Sequence, residues 1–171
     1  SGSTRKALQV VLAAGVAVGA TQAMAEDMFL KIAGLPGESI DSKHKDEIDV
    51  YSFAQTVDAK QCPQITLTKR VDKSSPGLAE AASTQKSLAS ALLTVRKSGE
   101  KAEEYYKVSM SYVYVLSADQ SFSGEGAGQE VVVLTARSTT MSYRPQNANG
   151  SLGNEVVKTI QGCGSNSPGG R

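Results

Sequence analysis

The residues able to do chemistry gather once along the chain. His44 is the single histidine of 171 residues, and it stands among Lys43, Lys45, Asp46 and Glu47, with Asp49 close behind. An imidazole beside carboxylates is the material of general acid–base catalysis. It needs a nucleophile to activate, and no serine or cysteine in a recognisable nucleophile motif lies near it. On an extended strand Glu47 and Asp49 would share one face and Asp46 would point away. Without a second acidic cluster these carboxylates read as solvated or salt-bridged. His44 reads as a hydrogen-bonding residue of a polar connection, at the surface or at an interface. No residue is assigned a catalytic role.

The other candidates dissolve in the same way. Cys62 and Cys163 lie about a hundred positions apart, outside any C-x-x-C pair. With one imidazole they do not make zinc-site spacing, and no metal or cofactor is expected. Bonded within one chain they would close a long loop, worth up to about 4–5 kcal/mol in the chain-entropy account. Two unpaired thiols is the simpler reading, and a bond between neighbouring subunits is a third. Gly124, Gly126 and Gly128 resemble a phosphate loop only superficially: no Lys-Ser/Thr follows, and the apolar run after them looks like strand, not helix. Tyr105, Tyr106, Tyr112 and Tyr114 could stack nucleic-acid bases, but their alternating pattern suits core and interface packing.

Most segments carry a period of two. Ile65, Leu67 and Val71 share one face, and Gln64, Thr66, Thr68 and Arg70 the other. Tyr106, Val108, Met110, Tyr112, Tyr114 and Leu116 make one continuous apolar face. The stretch from Gln129 to Tyr143, rich in Val and Thr, is a further strand. The glycine-rich Ser121 to Gly128 joins these two into a hairpin. Asp27 to Ala33 and Glu47 to Val57 also read as strands, with a turn opening at Gly34-Leu35-Pro36-Gly37. One helix start is clear, with Ser75 as cap and Pro76 in the first turn, and with Leu78, Ala81 and Ala82 on one face. Pattern alone would continue it through Leu88, Ala89, Leu92 and Leu93 to Lys97.

Eighteen basic and seventeen acidic residues leave a net charge of +1. Removing Arg5 and Lys6 with a leader would leave sixteen basic against seventeen acidic, about −1. Such balance argues against a nucleic-acid groove, which needs clustered positive charge. A hydrophobic fraction of 40% with 5% aromatics and no Trp describes a globular chain with small apolar side chains. Ser1-Gly2-Ser3 reads as a cloning scar. Arg5-Lys6, the apolar run Ala7 to Ala20 and Ala23-Met24-Ala25 have the order of a secretory leader. The apolar run is short for a membrane span. Met24 as the true start is the rival reading. The expected organisation is a scar and leader-like segment over 1–25, one domain over 26–160, and a loose polar tail over 161–171.

One ordered set of short motifs carries a resemblance. Asp27-Met28-Phe29-Leu30-Lys31-Ile32 is followed by Gly37-Glu38-Ser39 and by Lys43-His44-Lys45-Asp46-Glu47-Ile48-Asp49-Val50. Then come Thr68 to Pro76, Leu93-Thr94-Val95-Arg96-Lys97-Ser98-Gly99, Glu104-Tyr105-Tyr106-Lys107 and Tyr143-Arg144-Pro145-Gln146. In this order and spacing, from Glu26 to about Lys158, the chain resembles the haemolysin-coregulated protein (Hcp) family, the tube proteins of the bacterial type VI secretion system. The opening Met24-Ala25-Glu26-Asp27-Met28-Phe29 is similar to the family's usual start.

The resemblance implies a mainly β fold: a compact β-barrel of two packed antiparallel sheets with one short α-helix. It also implies that the helix breaks near Thr84 and that a strand starts near Leu88. It implies no enzyme, but a structural subunit whose partners are copies of itself in a six-membered ring, stacked rings, and the sheath, spike and effector proteins of the secretion apparatus. Nucleic acid and membrane are not among them. Location would follow: made in the cytoplasm and secreted through the apparatus, or periplasmic if the leader is used. Two departures bear on this. The family's longer Gly- and Ser-rich excursion after the second strand is here compressed into roughly Gln55 to Pro63. An exported chain would not enter the tube by its usual cytoplasmic route, which leaves a periplasmic or extracellular β-barrel binding module as the alternative.

Overall fold

The computed structural model describes residues 26–98 and 101–161. In chain order these form β1 (Glu26–Ile32), β2 (Ile48–Thr56), β3 (Gln64–Arg70), α1 (Ser75–Thr84), β4 (Leu88–Lys97), β5 (Glu104–Ser121), β6 (Gln129–Tyr143) and β7 (Val156–Gln161). The leader-like segment 1–25, Cys163 and the tail beyond Gln161 lie outside the described residues.

The strands line up as β3-β2-β1-β4-β5-β6-β7, and a further antiparallel pairing of β3 with β6 closes the first six into a barrel. β6 makes this possible by its length. Its Gln129–Thr135 part pairs with β3, its Ser138–Tyr143 part pairs with β7, and β5 runs along its other side. Closure satisfies the backbone groups that an open sheet would leave at its margins. Inside lie Leu30, Ile48, Ile65, Leu67, Leu93, Val108, Val132 and Leu134, all essentially inaccessible. Leu78 and Ala81 bring α1 onto this core.

The helix ends at Thr84, as the resemblance implies and the bare apolar period does not. Gln85 takes a left-handed φ of 54° and its N–H donates to the Ala81 carbonyl at 2.9 Å, which terminates the turn. Its side-chain amide also donates to the Val115 carbonyl at 3.1 Å, tying the helix end to β5. The start differs from expectation. Ser74 is the N-cap and makes no side-chain cap bond, whereas Ser75 is buried and its hydroxyl accepts from the Asp72 N–H at 3.0 Å. Ser75 therefore secures the preceding turn instead of capping the helix.

The apolar face expected along β5 holds only to Met110. Tyr112 is 57% exposed and Leu116 41%, while Val113 and Val115 are fully buried. The cause is local: Tyr112 has a φ of 50°, in the left-handed region, and the pleat changes phase there. Ala89, Tyr112 and Arg137 all drop out of the pairings, while the rows on either side, Ser90–Ser111–Ser138 and Leu88–Val113–Ala136, stay in register. Three strands thus turn a barrel corner along one line. Two smaller differences complete the fold. Val71 lies past the end of β3 and is half-buried, and Lys69 takes the inward position after Ile65 and Leu67. β7 was not expected as a strand at all.

Candidate functional site

His44 is not at the surface but 7% exposed, inside a loop that folds back over β1, β4 and the start of β5. The sequence builds that loop from close contacts. The Gly37 N–H donates to the Asp46 carbonyl at 2.8 Å, and the Ser39 N–H to the Glu47 carbonyl at 2.9 Å. A Cβ on Gly37 would stand 2.4 Å from the Glu47 carbonyl oxygen, so only glycine fits. Asp41 accepts from the N–H groups of Lys43 at 2.9 Å and His44 at 3.1 Å, and a left-handed Asp46 with φ 61° turns the chain into β2. That turn separates the carboxylates expected to share a face: Glu47 is buried against His44, and Asp49 is exposed on β2.

The loop is held down by charge and by one aromatic ring. His44 contacts Glu47 through Nδ1 and Glu104 through Nε2, the latter at 2.8 Å. Its ring stacks on Phe29 at 4.2 Å with an interplanar angle of 6°. The Arg96 guanidinium lies 4.8 Å from the same Phe29 ring, donates to both Asp41 carboxylate oxygens, and reaches Asp27 at 3.2 Å. The Arg96 hydrogen bonds hold the Asp41 pKa down at about 2, and Asp41 in turn raises that of Arg96. Burial alone would raise Glu104, but the Lys107 ammonium, with His44, holds it below its usual value. Both imidazole nitrogens face carboxylates, and among the described residues no hydroxyl or thiol is bonded to the ring. The cluster is a latch between loop and barrel.

A second cluster escaped the sequence reading. Lys69 and Glu130 are both fully buried and paired at 2.8 Å. The Lys69 ammonium also donates to Asp72 at 3.0 Å, to the Ser75 hydroxyl at 3.2 Å and to the Arg70 carbonyl at 2.9 Å, and Gln120 donates to the other Glu130 oxygen. A lysine beside a serine suggests nucleophile activation. Here the Lys69 amine is taken up by two carboxylates and Ser75 is buried, so the arrangement fixes the turn before α1 to β3 and β6. The signal was present: Lys69 continues the inward series Ile65, Leu67, and Glu130 begins the series Val132, Leu134.

The tyrosines do not line up as a stacking platform. The Tyr105 hydroxyl donates to Glu26, and burial with that carboxylate drives its pKa up. Tyr106 donates to Gln55 at 3.0 Å and its pKa is raised by burial, while Tyr112 carries Arg137 over its exposed ring at 5.4 Å. Cys62 is half-buried in the short 57–63 connection and is bonded to no cysteine among the described residues. Gly124 and Gly126 have φ of 77° and 80° in a plain hairpin tip whose Phe122 packs over Gly128. Among the described residues no group of three or more His, Cys, Asp or Glu is placed to hold a metal ion, and no helix is long and apolar enough to cross a membrane. An open depression of about 820 Å³ is lined by opposing charges, including Lys43, Glu103, Lys107, Arg144 and Glu155.

The outside of the barrel is more specific. Among the described residues β7 pairs only with β6, and none of its own residues is buried. Val156 is 57% exposed and Val157 47%, beside Tyr143 at 46%. An exposed apolar margin strand is a template for pairing with another chain.

Comparison with known proteins agrees with this anatomy. The family described as "Type VI secretion system effector, Hcp" matches residues 29–143. The chain is 34% identical over 151 residues to Protein hcp1 of Pseudomonas aeruginosa, covering 79% of this chain and 93% of that one. The crystal structure of Hcp1 from Salmonella typhimurium superposes with a TM-score of 0.73 at 31% identity, over 81% of this chain and 95% of the other. A type VI secretion system effector from Yersinia pestis gives 0.68 at 26% identity, over 79% and 99%. The ordered motifs, the closed barrel with its single helix and these relatives converge: the chain belongs to the Hcp family of type VI secretion system proteins.

Proposed function

We propose that this chain is the structural subunit of a type VI secretion tube, assembling into hexameric rings that are secreted and that shelter effector proteins. The observation that carries the proposal is the pairing of a closed barrel with an apolar margin strand, β7, that has a single strand partner among the described residues, on a molecule whose described charge clusters hold no activated nucleophile. A surface repeated head to tail about an axis closes a ring when its rotation divides evenly. The outward residues of β2 and β3 support a water-filled lumen: Ser52, Thr56, Thr66 and Thr68 present hydroxyls without charge. The partners are then other copies of the chain, the sheath, the spike and the cargo. The domain doing this work is residues 26–160, and no covalent step belongs to it.

A second reading, a monomeric periplasmic or extracellular binding module, draws on the short 57–63 connection, which offers neighbours little to grip. Cells carrying a type VI apparatus separate the two. Release into the medium that stops when the sheath is disabled, with an N-terminus at Met24 or Ala25 in cytoplasmic material, supports the tube subunit. A leader-cleaved monomer in the periplasm, unaffected by the sheath, supports the module.

A further inference from the structure

The connection from β6 to β7 contains a tight turn. Gln146 and Leu152 pair across it, the Asn147 N–H donates to the Ser151 carbonyl at 2.8 Å, and the Gly150 N–H donates to the Asn147 carbonyl at 2.9 Å. Asn149-Gly150 stands at the tip. Asn149 is exposed, and Gly150 lies in the left-handed region with a φ of 84°. A Cβ on Gly150 would meet nothing nearer than the Gln146 amide nitrogen at 3.9 Å, so the surroundings of this glycine are open.

The hydrogen bonds around Asn149 run in one direction. The Asn147 side-chain amide donates to the Ser151 hydroxyl at 3.1 Å. With a lone pair engaged there, that hydroxyl donates its own proton to the Asn149 side-chain carbonyl at 2.6 Å. The Ser151 N–H donates to the same oxygen at 3.0 Å. Two donors, one of them oriented by a third group, stand where negative charge grows when a nucleophile adds to that carbonyl. The nucleophile is the next residue's nitrogen, which glycine leaves unshielded. We infer that Asn149 is a site of spontaneous deamidation, its side-chain carbonyl activated by Ser151. The Gly150 nitrogen gives up its proton and bonds to Asn149 Cγ, the Cγ–Nδ2 bond breaks, and that nitrogen leaves as ammonia. Water then opens the cyclic imide at one of its two carbonyls, giving aspartate or isoaspartate with no change of oxidation state. The Gly150–Asn147 hydrogen bond must open first, which costs little in an exposed turn. Isoaspartate adds a methylene to the main chain between the paired Asn147 and Ser151. Either product adds a negative charge two residues from Ser151, which lines the charged depression.

The test is ageing of the full chain in neutral buffer over weeks, folded and in guanidinium chloride. Arg144 precedes Pro145 and resists trypsin, so one peptide, Ser138 to Lys158, carries Asn147, Asn149 and Asn154 together. Fragmentation of that peptide locates the mass gain of deamidation, and an isoaspartyl methyltransferase counts isoaspartate. In the folded chain Asn149 is expected to convert at least about tenfold faster than Asn147 or Asn154. Ser151→Ala is expected to slow it by roughly tenfold, since one of two donors on the reacting carbonyl is lost. Ser151→Thr keeps the hydroxyl and the wild-type rate. In guanidinium chloride, where the turn is gone, all three chains convert alike. An Asn149 that stays intact when folded but converts when unfolded overturns the inference, because the turn then protects the site. Folded Ser151→Ala converting at the wild-type rate, or Ser151→Thr as slowly as Ser151→Ala, overturns activation by the hydroxyl.

Discussion

Replacing Lys69 by Met separates a buried charge pair from the apolar core around it. Lys69 and Glu130 have no measurable exposure and lie 2.8 Å apart. Removing the ammonium leaves Glu130 with Gln120 as its remaining donor, strips Asp72 and Ser75 of a shared partner, and loosens the turn leading into α1. Breaking one side of such a pair costs about 3–5 kcal/mol, since the surviving carboxylate is left uncompensated in a poorly solvated place. That is a large part of the 5–15 kcal/mol or so that typically stabilises a domain. For a chain of this length it lowers Tm by roughly 10 °C or more. The double variant Lys69→Met, Glu130→Leu removes both charges and keeps the volume, and should recover to within about 1 kcal/mol of wild type. Urea unfolding at several protein concentrations, followed by far-ultraviolet dichroism and tyrosine fluorescence, separates the domain's own stability from that lent by assembly. A single variant that loses less than about 1 kcal/mol, or a double variant as unstable as the single, would refute this account of the buried pair.

Three further outcomes follow from the geometry. Asp41 has its pKa lowered to about 2 in the fold, so its stabilising contribution is complete above the unfolded carboxylate range near 4 and disappears as pH falls through 2. Asp41→Asn should therefore cost about 1 kcal/mol at neutral pH, a value kept small because the pair is partly screened, and the difference from wild type should close between pH 4 and 2; parallel profiles would contradict it. Gly37→Ala forces a methyl against the Glu47 carbonyl and should cost about 1–3 kcal/mol while speeding amide exchange across residues 37–47 more than in the barrel. Tyr112→Val should destabilise by about 1–2 kcal/mol despite valine's preference for strands, because a β-branched residue resists the left-handed conformation, whereas Tyr112→Gly should lie nearer wild type. Equal effects of Val and Gly there would mean the backbone is not what sets the corner.

The strands that bury one face were legible because burial writes a period of two. β6 runs from Gln129 to Tyr143 as its Val and Thr content predicts, and β1 and β2 fall within a residue or so of expectation. The family resemblance, not periodicity, ended α1 at Thr84, since Leu88, Ala89, Leu92 and Leu93 satisfy helix and strand patterns alike. Alternation failed where the backbone departs from the pleat, at Tyr112, because a single left-handed residue leaves no compositional mark when it is not glycine. It also failed at Lys69 and Glu130, whose charges hide positions otherwise continuous with the core. β7 was invisible for the opposite reason: a strand exposed on both faces has no buried side to pattern. His44 was legible as the centre of a polar cluster, but its burial depends on Phe29, Arg96 and Glu104, which are distant in the chain.

The central claim is that copies of this barrel close into a ring of six, and native mass spectrometry of the purified chain reaches it most directly. The account predicts a dominant particle of six times the 17.9 kDa chain, persisting on dilution and seen by electron microscopy as a ring with an open centre. A single-chain species at every concentration, or an open series of sizes with no preference for six, would contradict it.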